Sequence, residues 1–452
     1  MAKDILIKST SGIRGIVGKG IYPFVVMDYS MAFGTFLRKG TVVVGRDTRP
    51  SGIFYIGMVV GSLQSVGINV IDLGVVPTPT IGIAIKRFKA VGGICVTASH
   101  NPSQWNALKF FNNKGEFISP AQYKMLNSIY ESRKFNDQLF DKLGSYKTDE
   151  NFIDIHIKQI LSLKTIPLRK IKSNKYKVVL DAINGAGSFA LPKLLREMGC
   201  KVIEINCKGD GNFVHEPEPV AKNLTQLSRA VKKHRADIGL ACDPDADRLA
   251  IVNEKGIPIG EELTLAIAVD YILGKKKSVA VINLSTSNVT ADLIRKSGSR
   301  LYYSKVGESN VVLEMKKRKA VIGGEGNGGV IYPTSHAGRD SLVAAAFVLS
   351  SLTFNKMKIS ELVETYNVYY NIKIKSNLPV GFAGRIKGLE KKIIAITGKS
   401  KIDRKDGIRI NFKGGWVQIR TSNTEPIYRL IIETTDSSLT LKLKSEIMKL
   451  LK

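Results

Sequence analysis

Two short polar segments of this chain combine a hydroxyl with carboxylates in a way that could move a phosphoryl group. The first is Thr97-Ala98-Ser99-His100-Asn101-Pro102, reached through the apolar run Gly93-Ile94-Cys95-Val96. A strand that ends in a tight loop closed by Asn-Pro presents its hydroxyl, so Ser99 reads as a nucleophile. The second is Asp243-Pro244-Asp245-Ala246-Asp247-Arg248. Carboxylates at alternate positions repel one another strongly unless a cation neutralises them. Their oxygens suit Mg²⁺, which takes few protein ligands and leaves positions for a substrate phosphate. The loop is pinned between the apolar runs Ile238-Gly239-Leu240-Ala241 and Leu249-Ala250-Ile251-Val252, so it is not a free acidic turn. Glu254 stands twelfth from Asp243, as in a calcium EF-hand loop. The sixth position is Arg248, however, where the sharp turn needs glycine, and the flanks read as strands, so that alternative fails. A hydroxyl together with a hard-metal site is the composition of phosphoryl transfer.

Further candidates surround these two. His100 adjoins Ser99, but neighbouring side chains on an extended run diverge, so it is not an obvious base. The glycines of a hydrolase nucleophile elbow are absent, with Ala98 and Asn101 near the serine. Gly323-Gly324-Glu325-Gly326-Asn327-Gly328-Gly329 places a charged and an amide side chain among glycines. That suits close backbone approach to a polyol, with Glu325 and Asn327 reading hydroxyls. Arg420, Thr421, Ser422, Asn423 and Thr424 precede Pro426, with Arg429 nearby, a composition suited to clamping a phosphate. Arg14 and Lys109 are candidate cations near Ser99.

The 452-residue chain exceeds one typical core, so several domains are expected. No apolar stretch reaches membrane-spanning length, and the start has no signal-peptide core. Four scattered cysteines make no disulfide framework. A cytoplasmic protein is expected. The net charge of +29 comes from dispersed lysines with short clusters at 275–277 and 316–319 and no aromatic-interleaved basic stripe. It reads as a solvated surface that attracts anionic substrates rather than as a nucleic-acid footprint.

The elements that must position these loops form a threefold echo. Val42-Val43-Val44, Val178-Val179-Leu180 and Val279-Ala280-Val281-Ile282 each run into a small polar loop and then a helix-like stretch. Each is followed by a second apolar run and one of the special loops: Thr97–Pro102, Asp243–Arg248 or Gly323–Gly329. Three α/β units with mixed sheets therefore each set a loop at a strand's C-terminal end, where open α/β sheets bind ligands. From Val368 onward alternating strands dominate, and an amphipathic helix closes the chain from about Leu439.

Taken together, the loops resemble the α-D-phosphohexomutase superfamily along essentially the whole chain. Four motifs stand in the family's order: Thr97–Pro102, Asp243–Arg248, Gly324–Gly329 and Arg420–Pro426. The resemblance implies three related α/β domains at 1–148, 149–253 and 254–367, with a smaller α+β domain at 368–452, around one central cleft. It implies a phosphoserine at Ser99 and one Mg²⁺ between that phosphate and Asp243, Asp245 and Asp247. Arg14, Lys109 and Arg248 would surround the transferring group. Glu325 and Asn327 would bind sugar hydroxyls, while Arg420, Ser422, Asn423 and Thr424 would hold the non-reacting phosphate. The activity implied is isomerisation of hexose 1- and 6-phosphates through a hexose 1,6-bisphosphate, with room for a homodimer and no nucleic-acid or membrane partner. A sugar-phosphate phosphatase and a nucleic-acid-binding protein are the rival readings.

Four departures from the family pattern stand out. The usual Asn-Gly is Asn106-Ala107, and Gly329 replaces a histidine common in bacterial members, which moves suspicion for proton transfer to Lys109. Val306-Gly307-Glu308-Ser309 lacks the histidine of mannose-type relatives, and Ser341 follows Gly-Arg-Asp where glycine is common. The Glu-Gly-Asn-Gly-Gly form looks most like archaeal members assigned to phosphoglucosamine mutase, with glucose and mannose phosphates as alternatives.

Overall fold

The computed structural model describes residues 6–379, 381–421 and 427–451. Its β-branched runs form the strands, and three of its four sheets share one plan. In each, a parallel strand is crossed to a second and a third through helices, and the third turns back as an antiparallel fourth. In the first sheet these are Gly40–Arg46, Ile68–Val75, Gly92–Val96 and Trp105–Asn112. In the second they are Lys177–Asp181, Lys201–Ile205, Ile238–Cys242 and Leu249–Asn253. In the third they are Val279–Asn283, Arg300–Ser304, Ile322–Glu325 and Gly329–Tyr332. The predicted threefold echo is therefore real, and its special loops are the tips of three equivalent hairpins. The antiparallel return strand gives each tip a rigid exit as well as a rigid entrance.

The anchoring is apolar. Every residue of Ile238–Cys242 and Leu249–Asn253 is buried. Full burial of a Leu or Ile stabilises by about 1.5–3 kcal/mol, and Leu240, Leu249 and Ile251 are all buried beside the acidic turn. Close approach fixes two glycines. A Cβ on Gly185 would lie 2.6 Å from Pro244, which holds the Asp181–Gly187 loop against the acidic tip. A Cβ on Gly12, at φ +108°, would lie 1.9 Å from the Leu108 carbonyl. That contact sets Gly12–Val17, and Arg14 with it, beside Trp105–Asn112.

The fourth sheet is Tyr370–Asn377, Ile427–Thr434, Gly415–Thr421, Ile408–Phe412 and Ser400–Asp403 in spatial order, all antiparallel. Alternating strands are only part of this region. Helix Phe382–Thr397 intervenes, with Leu389 and Ile393 buried and Ile386 and Ile396 packed on the same core. Helix Ser437–Leu451 closes the chain. Among the described residues no helix is long and apolar enough to cross a membrane.

Candidate active site

The Ser99 loop is held from beneath by a residue pair in the first sheet's first loop. Asp47 and Arg49 are both fully buried, and their side chains are ion-paired at 3.0 Å. The Arg49 guanidinium donates to the carbonyls of Ser99 (2.7 Å), Asn101 (2.6 Å), Pro102 (2.7 Å) and Trp105 (3.1 Å). Asp47 accepts from Thr97 Oγ1 at 2.6 Å, and Thr97 Oγ1 accepts from the Ser99 amide at 2.9 Å. So gripped, Ser99 adopts φ +49°, a conformation a non-glycine residue holds only when its surroundings over-determine it. Its hydroxyl donates to Asp243 Oδ2 at 2.7 Å, across 144 positions of sequence. The left-handed turn also overturns the expectation that Ser99 and His100 diverge, because Ser99 Oγ lies 3.4 Å from His100 Nδ1. Burial, then Arg248 and Arg14, hold that imidazole well below its ordinary pKa, so it is neutral.

Asp243, Asp245 and Asp247 converge at the second tip, with one oxygen of each within 4.8 Å of the others and all three side chains buried. Asp245 Oδ2 accepts from Lys109 Nζ and from Thr78 Oγ1, each at 2.6 Å. Asp245 Oδ1 and Asp247 Oδ1 are buried with no hydrogen-bond partner. Burial and the charges of Asp247 and Asp245 push the Asp243 carboxyl well above its usual range. Orphaned carboxylate oxygens in a buried, self-repelling cluster fit a hard divalent cation.

Lys109 lies 2.6 Å from Asp245 and 3.6 Å from Asp247. Although burial opposes the charge, these carboxylates hold its ammonium above the ordinary range. It stands as a cation paired with the acidic tip. Arg248 Nε sits 3.7 Å from Asp247 and 4.0 Å from Asp243. Arg14 approaches the loop through Asn101 Oδ1 at 3.4 Å.

A further residue, Arg339, ties the second tip to the third. From strand His336–Arg339 its guanidinium reaches Asp247 (2.6 Å), Glu308 (2.8 Å) and Glu325 (3.0 Å). Glu325 also accepts from Asn283 Nδ2 and the Gly307 amide, each at 2.8 Å. Glu325 is thus anchored on several sides, whereas Asn327 lines the cleft. That cleft, about 560 Å³, runs from Arg248 past Asn327 to Lys375, Arg420 and Arg429. Arg420 and Arg429 are direct neighbours across two strands, and the Nε of each is buried without a partner. Side by side and, among the described residues, in no ion pair with a carboxylate, they offer a candidate anion seat. Ser422, Asn423 and Thr424 lie outside the described residues.

Four family profiles follow one another along the chain. They are the phosphoglucomutase/phosphomannomutase alpha/beta/alpha domains I, II and III at residues 6–137, 154–256 and 260–369, and the C-terminal domain at 375–450. The chain belongs to the phosphoglucomutase/phosphomannomutase family. A Thermococcus kodakarensis phosphoglucomutase/phosphomannomutase is 36% identical over 94% of this chain and 93% of its own length. A probable phosphoglucosamine mutase of Methanopyrus kandleri is 33% identical over 98% and 97%. A crystal structure of a family protein from Burkholderia thailandensis superposes with a TM-score of 0.85 at 26% identity, covering 99% of this chain and 98% of that one.

Within this family member the structure gathers Ser99, His100, Lys109, Arg248 and the three aspartates at one end of the site. It puts Arg420 and Arg429 at the other end of the cleft. Sequence reading assigned no role to Arg49, Thr78 or Arg339. Arg49 sits in the small polar loop that follows Val42-Val43-Val44, and Arg339 in the Gly-Arg-Asp before Ser341; an arginine inside a glycine- or aspartate-rich loop was the available signal.

Proposed function

We infer that this phosphohexomutase interconverts the 1- and 6-phosphates of a hexose by way of a phosphoryl group carried on Ser99, and that glucosamine phosphate is its preferred substrate. The observation that carries the reading is the 2.7 Å contact between Ser99 Oγ and Asp243, in a cluster where two neighbouring carboxylate oxygens have no partner. Asp243, Asp245 and Asp247 would hold Mg²⁺, which when bound supplies charge neutralisation to the phosphoryl oxygens.

The chain's own residues do the rest. Arg248 and Lys109 offset charge on the transferring group. Arg49 fixes Ser99 in its left-handed turn, and Arg420 with Arg429 seats the phosphate that is not reacting. Holding that second phosphate fixes which sugar oxygen meets Ser99, the positional part of the catalysis. In the forward half-reaction the Ser99 Oγ–P bond breaks and a P–O bond to the free sugar hydroxyl forms. The hydroxyl loses one proton and the serine oxygen gains one. The hexose 1,6-bisphosphate then returns its other phosphate to Ser99 by the reverse exchange, so the second half restores the enzyme.

The preference for glucosamine phosphate is supported by the Glu325-Gly326-Asn327-Gly328-Gly329 form of the sugar loop and by the name of the Methanopyrus relative. Glucose and mannose phosphates are the second reading, favoured by the name of the Thermococcus relative. The divisions at 148/149, 253/254 and 367/368 belong to the same proposal, and each falls between consecutive sheets. A coupled assay across glucosamine, glucose and mannose phosphates, with intact-mass measurement of the phosphoserine, tests the whole. Full mutase activity of Ser99→Ala with bisphosphate present would sink it.

A further inference from the structure

The acidic tip has an unusual feature apart from its carboxylates: the carbonyls of four consecutive residues are all engaged. The Asp243 carbonyl accepts from the Ala246 amide at 2.9 Å, closing the turn. The Pro244 carbonyl accepts from the Ala186 amide at 2.7 Å, within the same unit. The Asp245 carbonyl accepts from the Thr78 amide at 2.9 Å, and the Thr78 hydroxyl takes Asp245 Oδ2 at 2.6 Å. The Ala246 carbonyl accepts from both the amide and the hydroxyl of Ser341, at 3.2 and 2.6 Å. Thr78 opens helix Thr78–Phe88 beside the first sheet, and Ser341 opens helix Ser341–Asn355 beside the third. Both side chains are buried.

We propose that Thr78 and Ser341 are positioning residues that clamp the metal-binding tip from two different domains, so that its affinity for a divalent cation depends on hydroxyls supplied from outside the domain that carries the ligands. This rests on the reading of Asp243, Asp245 and Asp247 as metal ligands. Ala246 has φ +52°, and three like charges push the loop open. Within the loop, Asp243 holds the turn by accepting from the Ala246, Asp247 and Arg248 amides, and the remaining carbonyls are held from outside. The Ser341 hydroxyl holds the carbonyl of that left-handed residue. The Thr78 hydroxyl and Lys109 both donate to Asp245 Oδ2, which leaves Asp245 Oδ1 buried and, among the described residues, without a hydrogen-bond partner. Groups that orient metal ligands in this way change affinity by about 10–100-fold when removed.

The test uses the full-length protein with Mn²⁺ as the probe. Free Mn²⁺ is counted by electron paramagnetic resonance for the parent, Thr78→Val, Thr78→Ser and Ser341→Gly, alongside kcat and KM with the sugar phosphate. Thr78→Val removes only the hydroxyl from a side chain of nearly the same shape. Its Mn²⁺ dissociation constant should rise about 10-fold or more, with kcat lowered and KM for the sugar unchanged. Thr78→Ser should restore both. Ser341→Gly keeps the amide bond and should weaken Mn²⁺ by a smaller factor. If Thr78→Val and Ser341→Gly bind Mn²⁺ within about twofold of the parent, the clamp is refuted while the metal site stands. Weakening in Thr78→Val that Thr78→Ser fails to restore assigns the effect to packing and also refutes it. A parent that binds no Mn²⁺ removes the metal reading itself, and the clamp with it.

Discussion

Arg339 is the residue whose loss should cost most, and the structure sets the scale. Its guanidinium meets Asp247, Glu308 and Glu325 at 2.6, 2.8 and 3.0 Å in a buried setting. Removing one partner of a buried ion pair costs about 3–5 kcal/mol, because the other charge is left without compensation. Three abandoned carboxylates do not triple that figure. Burial already raises the Glu308 carboxyl to about 7, with Arg339 opposing the rise, so without Arg339 this group takes up a proton and sheds its charge. The net expectation for Arg339→Met is therefore about 3–5 kcal/mol. At about 2–4 °C per kcal/mol for a domain of this size, melting falls by about 6–20 °C. Calorimetry is the assay, read on the first transition because a chain of several domains need not unfold in one step. Saturating Mg²⁺ supplies positive charge to the same cluster and contributes about 2.7 kcal/mol at a hundredfold excess over its dissociation constant. Mg²⁺ should therefore raise the melting temperature of Arg339→Met by more than that of the parent. Arg339→Lys keeps a charge but serves fewer carboxylates, and should fall between the two. Melting of Arg339→Met within about 2 °C of the parent would refute the view of Arg339 as the hub of this network.

Other outcomes follow from the same geometry. Ser99→Ala should abolish mutase turnover and remove any phosphoryl mass from the intact protein. Arg420→Ala should raise KM for the sugar phosphate and lower kcat by about 10-fold or more, since the seat supplies positioning; unchanged kinetics would contradict the anion seat. Arg49→Met should leave the metal site able to bind Mn²⁺ yet cut turnover, because the serine turn loses four carbonyl contacts. His336 offers a pH test. Burial lowers its pKa to about 3, and its Nδ1 has no partner. A histidine depressed in the folded state contributes stability that is present above about 6.5, its unfolded value, and is lost as pH falls toward the folded value. Over the interval from pH 6.5 to 5 the loss is about 2 kcal/mol, so His336→Gln should flatten the acid limb of a stability–pH curve.

The chemistry was legible where it is local. Ser99 and the three aspartates announce themselves because reactive groups crowd into six residues between apolar strands. The three sheets were legible as β-branched runs of matching order. What escaped acts across the fold. Arg339 reaches Asp247 over 92 positions, Thr78 reaches Asp245 over 167 and Ser341 reaches Ala246 over 95. No periodicity or spacing carries such a contact. His100 was misjudged for a different reason: the rule of diverging neighbours assumes extended backbone, and Ser99 leaves it. The strand Tyr146–Thr148 adds to the edge of the first sheet with all its residues exposed, so it has no apolar alternation to betray it. Lys109 was legible as a candidate cation, but the two carboxylates it meets lie more than a hundred residues away.

The three equivalent hairpin tips differ in how freely each can vary. In the tip that holds the aspartates, four carbonyls in a row are engaged by three domains, so an insertion there would break contacts on every side. The third tip spans only Gly326–Gly328 between its strands: the Gly326 amide donates to Thr286 Oγ1, the Gly328 carbonyl accepts from the Leu249 amide, and Asn327 between them lines the cleft. On the proposed function, a substitution at Asn327, which lines the cleft, would touch the sugar's neighbourhood and leave Ser99 and the three aspartates in place. A lineage could therefore change which hexose it accepts by exchanging one or two residues at a single tip, with the catalytic apparatus inherited unaltered. On that view substrate choice in this architecture is evolutionarily cheap, and the phosphoryl-transfer step is nearly frozen.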